Sequence, residues 1–130
     1  MDSNLPITKQ SSGACILNIT RNSGYAGSPD ILVSIVTPVY NRRHLLQRTF
    51  ASVRAQTVKC FEHVIVDDGS TDDPGDVIFN YMTQVDYPVA FIRKENGGVH
   101  SARNAALDIA RGGSQYFSTR MTKSSPMLLR

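Results

Sequence analysis

At 130 residues the chain has room for one domain with a buried core. Apolar residues make up 41% and charged residues 19%, which excludes a disordered composition. The net charge of +3 comes from basic residues scattered through predicted helices and both tails. That excludes a nucleic-acid-binding stripe and leaves small anionic ligands open. Cys15 and Cys60 are too few for a disulfide framework and wrongly spaced for zinc, so both read as reduced thiols of a cytoplasmic protein. No apolar run approaches a membrane span, and residues 1–4 lack the basic-then-apolar pattern of a secretory signal. Asn18-Ile19-Thr20 fits a glycosylation acceptor, but without such a signal it is a chance match.

Residues 1–30 are rich in Ser, Asn, Gly and Thr, with one apolar island at Cys15-Ile16-Leu17, and read as a loose polar leader with at most one short strand. Ile31-Leu32-Val33-Ser34-Ile35-Val36 is the first strong strand, expected to end at Thr37-Pro38 because proline cannot donate to a sheet ladder. Asn41 is placed as the N-cap of a helix whose Leu46, Phe50 and Val53 recur on one face. Arg42, Arg43, Arg48 and Arg54 read as its wet side. A strand over residues 61–66 follows, then an acidic turn. Asp72, Asp73 and Pro74 open a second helix with Val77, Ile78 and Tyr81 inward. Val89-Ala90-Phe91-Ile92 is a third strand, cut off by Arg93-Lys94-Glu95-Asn96. Gly97-Gly98 turns the chain into a third helix carrying Val99, Ala102, Ala106 and Ile109, which Gly112-Gly113 is expected to stop. The order β-α-β-α-β-α predicts an α/β fold with a Rossmann-like open parallel sheet and right-handed crossovers, half of a doubly wound domain.

The chemistry is expected at Val64-Ile65-Val66-Asp67-Asp68-Gly69-Ser70. A β-branched run buried on both faces stops at two carboxylates and a tight turn. In an open α/β sheet the carboxyl ends of the strands are where ligands bind. Two acids there suit a ligand's hydrogen-bond donors or a cation better than a core. The serines form no nucleophile elbow, because Gly69-Ser70-Thr71 lacks the flanking glycines. His44, His63 and His100 read as structural or surface residues.

Three segments together resemble the N-terminal half of glycosyltransferase family 2. They are Val33-Ser34-Ile35-Val36-Thr37-Pro38-Val39-Tyr40-Asn41, Val64-Ile65-Val66-Asp67-Asp68-Gly69-Ser70-Thr71-Asp72, and Asn96-Gly97-Gly98-Val99-His100-Ser101-Ala102-Arg103-Asn104. The likeness covers about residues 32–112 and implies the GT-A fold, with residues 31–112 as its nucleotide-binding half, cut short after the third β-α unit. It implies a nucleotide-binding set of Pro38, Tyr40, Asn41, Asp67, Asp68, Gly98, Arg103 and Asn104. Pro38 and Tyr40 would line the nucleobase pocket, with the Tyr40 ring stacked on the base. Asp68 would accept from the base, and a uracil imide N–H suits a carboxylate acceptor. Asp67 would shape the loop beside it, while Arg103 and Asn104 would lie near the donor or support that loop. Taken singly, Tyr40 is a rim aromatic, the aspartates are turn caps and Arg103 is a solvated helix residue. The three segments in order outweigh those readings.

The resemblance also implies a UDP-sugar donor, a hydroxyl acceptor, and Mg²⁺ or Mn²⁺ held by a later Asp-x-Asp or Asp-Asp motif, with a catalytic base beyond it. From residue 113 the sequence has no acidic residue, so little or no transfer is expected of the chain as it stands. A shifted reading frame offers an account. Met121 followed by Thr122 forces GAC, Asp, in that frame. Neighbouring junctions permit Val-Phe-Leu-Asp-(Ala or Ser)-Asp-Asp. On that reading residues 113–130 are an aberrant tail without a fold of its own, and sequencing the gene there tests it. A non-catalytic nucleotide-binding remnant or frameshifted pseudogene product is the alternative. A phospho-acceptor signalling domain is weaker, because its acidic pair would follow the first strand. With part of its sheet missing, the chain is expected to leave an apolar edge and face uncovered.

Overall fold

The structure is a computed structural model, and it describes residues 8–9, 15–27, 30–56, 60–112 and 114–117. Six strands form one sheet in the order β1-β2-β5-β4-β3-β6. These are β1 (Thr8–Lys9), β2 (Cys15–Arg21), β3 (Val33–Val39), β4 (Phe61–Asp68), β5 (Val89–Lys94) and β6 (Ser114–Phe117). Three helices cover it: α1 (Leu46–Arg54), α2 (Gly75–Gln84) and α3 (Val99–Ile109). β3, β4, β5 and β6 are mutually parallel, and the three expected β-α units follow in order.

Every residue of β4 is buried, because β4 lies between β3 and β5 with helices on both faces. Side-chain alternation along the strands divides the core in two. Ile35, Phe61, Ile65, Val89 and Phe91 face Leu46, Phe50 and Val53 of α1 and Ile78, Tyr81 and Met82 of α2. Val36, Val64, Val66 and Ile92 face Ala102, Ala105 and Ala106 of α3. Full burial of a side chain such as Leu46 or Phe50 contributes about 1.5–3 kcal/mol.

The sheet is mixed: the expected parallel strands are joined by an antiparallel margin drawn from the polar leader. β2 runs antiparallel to β5 and covers its outer edge, with β1 antiparallel beyond it. A register shift between Ile16 and Asn18 breaks strict alternation. Ile16 and Ile19, an odd distance apart, therefore enter one core cluster while Leu17 stays exposed. No period-two pattern announces such a strand. Asn22 then ties the segment down. Its amide donates to the carbonyls of Met82 (3.0 Å) and Tyr87 (3.1 Å), and its oxygen accepts from Gly24 N (3.1 Å) and Val89 N (2.9 Å). Asn22→Ala strands these partners and is expected to cost about 2–3 kcal/mol in urea denaturation. Stability within about 0.5 kcal/mol of wild type would show that the segment lies outside the cooperative unit.

Three further expectations change. Pro38 lies inside β3, opposite Val66 of β4. β6 pairs with β3 only as far as Val36↔Phe117, so among the described residues β3 has only β4 beside it at Pro38, where a missing N–H is tolerated. α3 ends at Ile109, with Ala110 extended, three residues before the expected glycine stop. Gly112 instead allows close approach: a Cβ there would stand 2.6 Å from the Val33 carbonyl carbon. The tail expectation is corrected at Ser114–Phe117, which form the fourth parallel strand. Residue 113 and residues 118–130, on which the frame argument rests, lie outside the described residues.

Candidate functional site

The carboxyl ends of β3 and β4 carry two loops that are hydrogen-bonded to each other. Asn41 adopts φ 52°, and its N–H donates to Ser70 Oγ at 3.0 Å. Its side-chain oxygen accepts from Thr71 N (2.8 Å) and Thr71 Oγ1 (3.1 Å). Asn41 is therefore a bridge between loops and not the expected helix cap. The cap comes from the other loop, where Asp72 Oδ2 accepts from Arg43 N at 2.9 Å. Arg43 also forks onto the exposed Asp76 carboxylate at 2.9 and 2.7 Å and holds it below the usual carboxylate range. Water screens that pair, so it steadies the loops more than the fold.

Asp67 and Asp68 end β4 on opposite sides of the strand, and both are nearly fully buried. Asp67 Oδ1 accepts from Ser70 N at 2.9 Å and closes the turn, while its Oδ2 stands 3.9 Å from Arg93 Nε. Asp68 faces the β5–α3 connection. Lys94 Nζ donates to its Oδ1 at 2.7 Å, and Gly97 N to the same oxygen at 3.0 Å. Gly98 N (2.9 Å) and Asn96 Nδ2 (3.2 Å) donate to Oδ2. Lys94 is itself buried and also donates to the Glu95 carbonyl. Gly69 has φ 77°, and a Cβ there would meet Asn96 N at 2.7 Å, so the two loops pack backbone to backbone.

Of the eight residues singled out from the sequence, Pro38, Tyr40, Asn41, Asp67, Asp68 and Gly98 gather at this end of the sheet. Tyr40 is 47% exposed, one residue past the last β3–β4 pair, Val39↔Asp67. Gly98 sits at φ 95° at the start of α3. Arg103 is half-buried and Asn104 exposed within α3, and the donors on Asp67 and Asp68 come from elsewhere. Sequence reasoning missed Lys94, which looks like the end of an apolar strand. Its register opposite Asp68 reveals the pair.

Two buried polar networks lie away from the loops. At the amino end of β4, Glu62 accepts from Tyr25 OH, from Ser34 Oγ (2.6 Å) and from Arg111 N. Burial and the Glu62 charge push the Tyr25 hydroxyl's pKa up, so it remains a donor. His63 is 0% exposed, between Thr37 Oγ1 (2.9 Å from Nε2) and Tyr81 OH (2.8 Å from Nδ1). Tyr81 OH in turn lies 2.7 Å from Tyr87 OH. Burial depresses the His63 pKa to about 3 and keeps the ring neutral. An open concavity of about 590 Å³ at the amino end of β5, lined by Arg54, Thr83, Gln84, Val85, Asp86 and Tyr87, is remote from the acidic turn.

Comparison with known families matches residues 34–119 to Glycosyl transferase family 2. The chain belongs to glycosyl transferase family 2. Among its relatives, glycosyltransferase GlyA of Streptococcus pneumoniae is 35% identical over 83 residues, covering 64% of this chain and 12% of that protein. Glycosyltransferase EpsJ of Bacillus subtilis is 34% identical over 97 residues, 69% of this chain and 28% of that protein. Hyaluronan synthase of Pasteurella multocida is 43% identical over 81 residues, 62% of this chain and 8% of that protein. The chain thus aligns with little more than a quarter, or less, of these family members.

Membership fits the divalent metal usual in the family, yet the residues described here do not fit one. Among them no group of three His, Cys, Asp or Glu side chains stands in ligating geometry. The Asp68 carboxylate is already neutralised by Lys94, and Asp76 by Arg43. Among the described residues no helix is long and apolar enough to cross a membrane.

Proposed function

We propose that residues 31–112 form the nucleotide-binding part of a glycosyltransferase whose donor is a nucleoside-diphosphate sugar, with uridine as the nucleoside. The reaction at the level of the whole enzyme is transfer of the sugar to a hydroxyl acceptor. The observation that carries the reading is the pair of loops locked together at the carboxyl ends of β3 and β4, with an exposed aromatic ring beside buried carboxylates. A strand-end crevice of an α/β sheet is where such a ligand binds. Tyr40 offers a face to the base, Pro38 lines the wall, and the acidic turn accepts from the base edge. Arg103 and Asn104 are assigned to the donor side of α3. Cys60 is exposed and free, which suits a reducing, cytoplasmic setting.

A second reading, a chain that binds the nucleotide without transferring sugar, is favoured by one observation: the site's acids are engaged by Lys94 and Arg43. Both readings predict UDP binding by this chain that Mn²⁺ does not strengthen. Calorimetric titration with UDP, with and without Mn²⁺, tests this. Base–aromatic stacking is worth about 1–3 kcal/mol, so Tyr40→Ala is expected to weaken UDP by roughly tenfold or more. Absence of UDP binding, or binding indifferent to Tyr40→Ala, overturns the assignment.

A further inference from the structure

Charge is segregated along the chain between the first two β-α units. Residues 31–61 carry Arg42, Arg43, Arg48, Arg54 and Lys59 and no acid, whereas residues 62–92 carry seven acids and no Lys or Arg. The fold sets the two units side by side, with α1 and α2 on the same face of the sheet. The helices run in the same direction. Arg43, just ahead of α1, meets Asp76 at the start of α2, and Arg54 Nη2 donates to Gln84 Oε1 at 2.7 Å where both helices end. Between these points the Phe50 and Tyr81 rings stack at 3.8 Å. Helical spacing from the buried Leu46, Phe50 and Val53 turns Arg48, Ala51 and Ala55 outward, and all three are exposed. The same spacing from Ile78 and Met82 turns Asp76, Asn80 and Thr83 outward, again exposed. Asp73 and Asp86, just before and after α2, are exposed as well. Among the described residues Arg48 has no hydrogen-bond or ion partner. A basic ridge thus lies beside an acidic one.

We propose that this face is the interface of a two-fold dimer, in which α1 of each copy lies over α2 of the other. A two-fold axis running along the helices, between the copies, sets each basic ridge over the partner's acidic one. Arg43 is level with Asp76, and Arg48 follows it by about 7.5 Å of helix. An arginine side chain spans that, so Arg48 reaches Asp76 of the partner subunit, twice per dimer. An axis across the helices would instead set Arg48 against its own copy, which like charges oppose. Ala51 and Ala55 leave room for the opposing helix. A nucleic acid or an anionic membrane does not fit, because the acidic ridge on the same face repels either. The face needs a surface that is acidic over α1 and basic over α2, and a second copy of this chain carries one. Helices of 9 and 10 residues offer less area than a permanent dimer buries, so the association is reversible and driven by charge. It does not depend on the nucleotide reading.

Sedimentation equilibrium of the whole chain, at rising protein concentration and at two salt levels, tests this. A dimer is expected at low salt. Raising the salt from about 0.05 to 0.5 M is expected to weaken it tenfold or more, because ions screen the facing charges. Arg48→Glu and Asp76→Arg are each expected to weaken self-association tenfold or more at low salt, with thermal melts confirming that both variants fold. Mixed in equal amounts, the two variants are expected to recover the dimer. The two altered helices then face each other, as do the two unaltered ones. Should Asp76→Arg not fold, Arg48→Glu carries the test alone, since it changes an exposed side chain without partners. A wild-type chain that stays monomeric at low salt overturns the proposal, whether or not it sediments with phosphatidylglycerol vesicles. So does a dimer that Arg48→Glu leaves intact, which would lie on another face. A mixture of two folded variants that remains monomeric overturns it too.

Discussion

Lys94→Met is expected to lower folding stability by about 3–5 kcal/mol, the range for breaking a buried ion pair by removing one partner. Lys94 is 2% and Asp68 4% exposed, and Lys94 Nζ is the cation on the Asp68 carboxylate at 2.7 Å. Methionine fills similar volume, so packing changes little while a buried charge loses its counter-ion. Against a total stability of roughly 5–15 kcal/mol, the variant would stand near its unfolding threshold. Replacing a buried pair by apolar residues is often neutral, yet here the double variant Asp68→Leu, Lys94→Met is expected to regain little. Asn96 and the amides of Gly97 and Gly98 would lose their acceptor as well. Urea denaturation of both variants decides the matter. Full recovery in the double variant would show that the pair is a tolerated burden and not the anchor of the turn.

Acidification below about pH 6.5 is expected to destabilise the chain through His63. His63 is neutral in the fold, with its pKa depressed to about 3 by burial, whereas the unfolded chain protonates it near pH 6.5. Between those values the unfolded state binds the extra proton, so stability is fully present above about pH 6.5 and falls as the pH drops. The slope approaches about 1.4 kcal/mol per pH unit, or about 2 kcal/mol between pH 6.5 and 5. Protonation would also force the ring nitrogen that now accepts to become a donor toward Thr37 or Tyr81. Urea midpoints at pH 7.5, 6.5 and 5 in constant salt measure this. A flat profile would mean that His63 opens to solvent in the native state.

The three β-α units were legible because they rest on local chemistry. The β-branched runs ending in Pro38, Asp67 and Lys94, and helical spacings such as Leu46, Phe50 and Val53, follow from sterics and burial within each segment. The family motifs were legible for the same reason, since short runs of fixed residue types survive without reference to anything distant. The part of the candidate site formed at Tyr40, Asp67 and Asp68 could thus be located from the sequence, as could its position at the sheet's carboxyl end. What each residue does there was not legible. Asn41 has the composition of a helix cap, yet its partner Thr71 lies 30 residues on, and only the packing of two loops chooses between those uses.

Strand register likewise decided that Lys94 meets Asp68 and that Glu62 meets Ser34. Those encounters turn charges that look like surface residues into buried anchors. β2 stayed hidden because a bulge scrambles its alternation and its partner β5 lies some seventy residues away. The sequence by itself determined the three β-α units, since propensity and periodicity act over a few residues, but not the strands β2 and β6 that flank them. The tertiary structure alone decided which polar groups are spent within the chain, because that depends on the donors that long-range pairing delivers to each carboxylate.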